Sequence, residues 1–454
     1  MQPETLSRRE RLRREKQAKE NTSKKSFVQQ TPFRAAERNF KSRIPPPDFS
    51  EVIDVGSQKP DDRLETVELA HDLRSLTSLF GSSTNDDDWK ENGRKAYVVK
   101  NVPGLVIIPN PFTPAAQRHL IQQCLADYPQ SPNTSNLHTH YDIPSTGLWP
   151  LYEKEQQGSI PMNDPSFYVQ KKVNKNNNNG SDEDEDEEDE DEIKRYSDDD
   201  DDDNDDRDDK GENTNKKNSP TDQKQQQQQQ NRTLVIPLKA CDDNFNPLLS
   251  QPKPEPPAAS TVPLLPTSEL IKRLRWITLG YHYHWPTKTY HLDRRFPVPN
   301  TVSEIVTSVV YAIENVGGQD WKNTYQGKNY QPEAGVVNYY QYRDTLMGHV
   351  DRSELNMEAP LISISLGNAC IYLLGGENRE TKPVALYLRS GDIIAMTKLC
   401  RRSFHGVPRI LEDTLPEYLK TEGDYPDAPN WSLFGQYMST SRININIRQV
   451  NPVP

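Results

Sequence analysis

Between residues 170 and 266 the chain runs through an asparagine tract, a dense acidic block, six consecutive glutamines and a proline-rich stretch. Such sequence has too few apolar side chains to offset the entropy of ordering it. Whatever folds here must therefore be two separate domains or one domain assembled from the pieces on either side. Composition agrees, since only 33% of the 454 residues are hydrophobic and the mean hydropathy is -0.92. The formal net charge of -12 is a local effect. Residues 182–209 hold 21 Asp/Glu against three Lys/Arg, and the remainder of the chain carries 46 acids against 52 bases. An acidic whole thus does not argue against a nucleic-acid partner.

Cys124, Cys241, Cys370 and Cys400 form no CxxC-type pair, so neither a zinc knuckle nor a disulfide scaffold is encoded. No apolar leader follows Met1, and the charge-free run 359–376 is broken by serines, Gly367 and Asn368, which fits paired strands better than a membrane span. The expectation is a soluble intracellular protein, monomeric and without a membrane partner. The first 25 residues carry nine Lys/Arg and four Glu, with Ser7 and Glu10 as a capping box. The glutamates count against a mitochondrial presequence, so nucleus and/or cytoplasm are expected, with a mitochondrial pool left open.

Residues 1–95 read as a basic N-terminal extension and linker, partly disordered, in which Phe33 to Phe40 and Val52–Ile53 form an arm able to dock on a core and 56–94 are weakly structured. A folded domain then spans 96–454, interrupted by the disordered insertion at about 170–265. Thr113–Pro114 supplies the N-cap and N1 of a helix with the stripe Leu120, Ile121, Cys124 and Leu125. Ser268 caps a short helix that leads into the aromatic run Trp276–Trp285. Thr301 with Glu304 opens another helix, whose apolar face is Ile305, Val309, Val310 and Ile313. Then the period changes to that of strands at 334–342, 360–367, 369–374, 384–389, 391–397 and 441–449. Helices followed by a series of strands predict an α+β fold, with helices packed on an antiparallel sandwich or jelly roll.

The last strand makes the clearest geometric statement. In Arg442-Ile-Asn444-Ile-Asn446-Ile-Arg448 the period of two puts three isoleucines on one face and Arg, Asn, Asn, Arg on the other. The polar face looks either into solvent, as on any half-exposed strand, or into a cavity. Asn338, Tyr340 and Tyr342 form a comparable face on another strand. His349 and Asp351 at i and i+2 project from one side of an extended segment, a weak signal alone, and His405 is the best third ligand. Two histidines and one carboxylate suit non-haem Fe(II) and leave coordination positions open. Zinc is the alternative metal, but a hydrolytic zinc site would not explain two arginines facing the same cavity, whereas a guanidinium fork suits a carboxylate.

His349-Val-Asp351, His405 and Arg442-x5-Arg448, in this order, resemble the AlkB family of Fe(II)- and 2-oxoglutarate-dependent nucleic-acid dioxygenases. The stretches 274–283, 334–340, 349–355 and 372–376 are similar to the eukaryotic branch of AlkB homologue one. The resemblance covers roughly Tyr97 to Val450 without the insertion. It implies a double-stranded β-helix (jelly-roll) core and the cofactors Fe(II), 2-oxoglutarate and O2. His349, Asp351 and His405 would ligate iron and Arg442 would pair with the distal carboxylate of 2-oxoglutarate, beside Asn338, Tyr340 and Asn444. Arg448 would lie near Asp351 and the co-substrate. Trp149, Tyr281, His282, Tyr283, His284 and Asp351 would surround the target base, with Trp285 a further stacking surface, while Trp276 reads as core. The implied activity is oxidative removal of N-methyl groups from bases, N6-methyladenine in DNA and/or methylated tRNA bases, releasing formaldehyde, succinate and CO2. The base would be single-stranded or locally unpaired. The acidic insertion could recruit histones or other basic proteins. A 2-oxoglutarate-dependent protein hydroxylase or demethylase, and an inactive nucleic-acid-binding scaffold, are the competing functions.

Overall fold

A computed structural model describes residues 31–453, apart from 58, 82–93, 163, 165–166, 173–252, 254–255, 260 and 424. The basic N-terminal run with its Ser7–Glu10 capping box, the asparagine tract, the acidic block and the glutamine run lie outside the described residues.

The strands are β1 (Leu64–Glu68), β2 (Lys95–Val99), β3 (Leu105–Ile108), β4 (Trp276–His284), β5 (Thr289–Arg295), β6 (Ala334–Gln341), β7 (Leu346–His349), β8 (Leu361–Gly367), β9 (Cys370–Leu374), β10 (Val384–Leu388), β11 (Ile393–Met396), β12 (His405–Ile410) and β13 (Ser441–Arg448). A nine-stranded sheet has the order β1-β2-β3-β11-β8-β13-β6-β4-β5, and a four-stranded sheet the order β10-β9-β12-β7. Their ladders are antiparallel, so the fold mixes helices with antiparallel sheets.

Alternation along the strands divides the interior in two. Ile362, Ile364 and Leu366 of β8 join Ile443, Ile445 and Ile447 of β13 in a large core. The same core takes Val302, Ile305, Val306, Val309 and Val310 of the helix Asn300–Ala312. Each isoleucine of β13 is fully buried, stabilising the fold by roughly 1.5–3 kcal/mol relative to exposure. Residues of opposite parity, among them Leu361, Ile394, Met396 and Tyr340, meet Tyr372, Leu374, Leu386 and Val407 of the small sheet in a second core. The polar face of β13 points to this side, so it looks into the protein interior and not into solvent: Arg442, Asn444 and Arg448 are all buried.

Thr113 caps the helix Pro114–Gln122 as its sequence predicts, its Oγ1 accepting the Ala116 N–H at 3.2 Å. The other two caps are corrected. Ser268 lies inside the helix Thr267–Leu270, where its N–H donates to Glu155, and the helix at 300–312 starts at Asn300 without a side-chain cap. In both, a proline precedes the first turn and its restricted φ does the work of starting it.

Three segments outside the main run of strands are built into the fold, two of them read from the sequence as linker or insertion. The arm docks as expected: Phe33 and Phe40 of the helix Pro32–Lys41 pack on Ile371, Leu373 and Ala385, on the outer face of the small sheet. The stretch 56–94, expected as linker, contributes β1 to the large sheet and buries Leu69, Leu73 and Phe80, the last stacked 5.1 Å from Phe112. The C-terminal flank of the insertion is also ordered against the core, through Val262, Leu265 and a hydrogen bond from Tyr141 Oη to the Pro263 carbonyl at 2.8 Å. Isolated apolar residues among prolines have no period of their own, so their burial depends on partners distant in sequence. Among the described residues no helix is long and apolar enough to cross a membrane.

Candidate metal centre

His349 ends β7 and His405 begins β12, and the two are direct partners in the ladder. Pairing places their rings 4.4 Å apart. Asp351, two residues after His349, turns its carboxylate between them: His349 Nε2 lies 3.6 Å from Oδ1 and His405 Nε2 3.7 Å from Oδ2. One ligand atom from each residue falls within 4.8 Å of the others. Each imidazole is oriented by a backbone carbonyl at its other nitrogen, His349 Nδ1 with Met347 O at 2.8 Å and His405 Nδ1 with Ser403 O at 3.1 Å. With the Nδ1 atoms so occupied, both Nε2 lone pairs face the carboxylate, the tautomer that metal ligation requires.

The electrostatics suit a cation. Burial by itself raises the Asp351 carboxyl, but Arg448, His349, His405 and Arg401 outweigh it and hold the group well below the usual carboxylate range. Burial, with His349 beside it, lowers His405 to about 4, so this imidazole is neutral and free to donate. Asp351 Oδ2 is buried without a hydrogen-bond partner, as are Arg442 Nε and Arg448 Nε. Buried polar atoms normally have such partners. Two histidines and one ionised carboxylate, whose Oδ2 has only the Arg448 guanidinium at 3.3 Å and His405 Nε2 at 3.7 Å beside it, fit a divalent metal of the non-haem iron type.

Arg442, 1% exposed, holds Ser365 Oγ at 2.7 Å and the Asn368 carbonyl at 3.3 Å. Tyr340 stands opposite it in the ladder, and Asn338 opposite Asn444. Asn444 donates to Ser363 Oγ at 2.8 Å and to the Ile364 carbonyl at 3.1 Å. Arg448 reaches Asp351 at 3.3 Å and Glu354 at 3.2 Å. Sequence reasoning missed what lies behind it. Glu354 also pairs with Arg401 at 2.8 Å and accepts from Tyr290 Oη at 2.6 Å, while Arg401 donates to the Asp351 carbonyl at 2.7 Å. Burial raises the Glu354 carboxyl, yet Arg401 and Arg448 bring it below the ordinary glutamate value. The Asp351–Glu354 spacing was the only available signal, and nothing in the sequence around Arg401 points to it.

The residues expected around a base divide. Trp149 is corrected: at 2% exposed it stacks 4.2 Å from Phe434, donates to Glu153, and is a core residue that no base can reach. Tyr281 and Tyr283 are half-buried, the latter bonded to Ser353 Oγ at 3.1 Å, beside the metal ligands. His282 and His284 are buried against Thr134 and Thr287 at 3.1 and 2.8 Å. Trp276, expected in the core, is half-buried and packs 4.9 Å from Trp285, which is 39% exposed. These two indoles cluster with Tyr283, 4.8 Å from Trp285; Tyr283 and Trp285 were expected near a base and Trp276 was not.

The geometry brings two histidines and one carboxylate of an antiparallel β fold into a cluster that could hold a metal ion. Residues 227–448 match the 2OG-Fe(II) oxygenase superfamily. The nucleic acid dioxygenase ALKBH1 of Mus musculus is 29% identical over 371 residues, covering 78% of this chain and 66% of that protein. The tRNA demethylase abh1 of Schizosaccharomyces pombe is 40% identical over 193 residues, 42% of this chain and 58% of that one. The N6-methyladenosine RNA demethylase ALKBH of Cryphonectria parasitica is 30% identical over 204 residues, 41% of this chain and 80% of that one. This chain belongs to the AlkB family of 2OG-Fe(II) oxygenases. It spans at most about two thirds of the length of the mouse and fission-yeast proteins.

Proposed function

We propose that this chain is an Fe(II)- and 2-oxoglutarate-dependent dioxygenase that removes N-methyl groups from bases in nucleic acid. The observation that carries this reading is the convergence of His349, Asp351 and His405 on one another, with Arg448 3.3 Å from Asp351 and a second arginine, Arg442, buried on the same face of the last strand. The relatives' names, a nucleic acid dioxygenase, a tRNA demethylase and an RNA demethylase, point to the same substrate class.

His349, Asp351 and His405 would hold the iron, which when bound supplies oxidation of a methyl C–H by O2 coupled to decarboxylation of 2-oxoglutarate to succinate. Arg442, buried and fixed by Ser365 and Asn368, would take the distal carboxylate, with Tyr340 alongside. Arg448 and the Glu354–Arg401 pair would keep Asp351 ionised and in place. Tyr283, Trp276 and Trp285 would stack an unpaired base, each such contact contributing about 1–3 kcal/mol. In this reading the two sheets are the halves of a double-stranded β-helix, supported by the core they share. The catalytic domain is then one unit, broken by the acidic insertion and extended at its N-terminal side by the arm and β1.

The test incubates the full chain with iron, ascorbate and 2-oxoglutarate on N-methylated DNA oligonucleotides, tRNA and methylated peptides, reading formaldehyde and modified nucleosides by mass spectrometry. Formaldehyde from the nucleic acids, lost in His349→Ala, is expected. Formaldehyde from peptides alone would overturn the proposal in favour of a protein substrate.

A further inference from the structure

The helix Pro32–Lys41 lies against the strand that carries the first metal ligand, and one of its side chains enters that strand's hydrogen bonding. Glu37, 5% exposed, accepts the N–H of Gly348 at Oε1. This contact falls where the ladder between β7 and β12 shifts register, between His405 and Val407. The Gly348 N–H belongs to the same peptide unit as the Met347 carbonyl, and that carbonyl holds His349 Nδ1 at 2.8 Å. A trans peptide is planar, with its N–H and C=O pointing in opposite directions. A carboxylate pinning one end therefore sets the direction of the other. The next peptide is pinned as well, by Arg379 Nη2 donating to the Gly348 carbonyl at 3.2 Å. Arg34 holds Glu37 itself at 3.3 Å, and the Phe33 N–H donates to the Arg379 carbonyl at 3.1 Å, so both anchors are tied to the docked helix. Gly348 has to be glycine for this to happen: a Cβ there would fall 2.3 Å from the Phe33 ring.

We propose that Glu37 is a positioning residue for the metal site, orienting the His349 imidazole through the Met347–Gly348 peptide. The docked arm is thereby part of the machinery that prepares the iron ligand, although it lies far from it in sequence. The same chain of atoms polarises the peptide: the anion on the N–H strengthens the carbonyl as an acceptor, which makes the His349 Nε2 lone pair a better donor to a metal.

The inference rests on His349 being a metal ligand. It is tested on the full-length protein without substrate, using Co(II) as a spectroscopic probe of the site. Glu37→Ala is expected to weaken Co(II) binding by about tenfold and to alter its d–d absorption, the range found when groups behind a metal ligand are removed. Glu37→Gln keeps an acceptor oxygen and should restore most of the affinity and the wild-type spectrum. Arg379→Met, at a less buried position, should weaken Co(II) binding in the same direction, and serves as the reading if Glu37→Ala does not fold. Wild-type affinity and spectrum in a folded Glu37→Ala, or in Arg379→Met should that variant be needed, would overturn the proposal. Absence of Co(II) binding by the wild-type protein would instead overturn the metal site itself.

Discussion

Glu354→Gln tests whether the buried charges behind the metal site are held as a network. The glutamate side chain is completely inaccessible and faces two guanidiniums, Arg401 at 2.8 Å and Arg448 at 3.2 Å, with the Tyr290 hydroxyl at 2.6 Å. The amide has the same shape and can still accept from Tyr290, so what is lost is the charge. Arg401, 1% exposed at its side chain, then keeps its bond to the Asp351 carbonyl, and Arg448 its contact with the Asp351 carboxylate. Removing one member of a buried ion pair typically costs about 3–5 kcal/mol. Because the hydrogen bond to Tyr290 survives, the low end applies, about 3 kcal/mol, or roughly a hundredfold in the folding equilibrium. The assay is urea denaturation of the metal-free protein followed by fluorescence, comparing midpoints at unchanged slope. A midpoint equal to that of the wild type would refute the reasoning. A second consequence can be read on the same samples. Arg448, turned wholly toward Asp351, would compete with a metal for Oδ2, so Co(II) should bind more weakly.

Three further expectations are independent of that network. Trp149→Ala should cost about 3–5 kcal/mol of stability by emptying a core site, with KM for nucleic acid unchanged in the folded fraction; a KM effect without destabilisation would restore Trp149 to the substrate surface. Trp285→Ala should leave the melting temperature within a degree or two and weaken single-stranded oligonucleotide binding by about 1–3 kcal/mol, measured by fluorescence anisotropy. Burial, aided by Lys172, holds His138 at about 4, and burial with His284 holds His291 at about 4, both from an ordinary 6.5. As pH falls, the unfolded chain takes up these protons first, so their contribution is complete above pH 6.5 and is lost on the way down to 4. Urea midpoints of His138→Gln and His291→Gln measured across that range should depend less steeply on pH than the wild type's.

Legibility followed the range of the interactions involved. A strand's alternation and a helix's cap are local, so β6, β8, β9, β10, β11 and β13 were found within a residue or two of their ends, and Thr113 with Pro114 was found outright. The alternation of β13 also announced its polar face, and the HxD spacing two members of the cluster that could hold a metal. Segments with mixed polarity were misjudged: β1 and the turn bearing Phe80 were read as linker, and Val262 and Leu265 as part of a solvated insertion.

Sequence by itself determined the chemistry available to this protein, because the identities of two histidines, an aspartate and two arginines, and the faces of the strands that carry them, are written in the order of the residues. Only the tertiary structure decided which groups surround that chemistry. Arg401 and Tyr290 reach Glu354 from two distant segments, Arg401 donating to the Asp351 carbonyl as well, Glu37 reaches Gly348 across 311 positions of chain, and Trp149 turns into the core while Trp276 and Trp285 turn toward one another. Spacing can register neighbours a few residues apart, whereas contacts of this kind exist only once the sheets and the docked helix have packed.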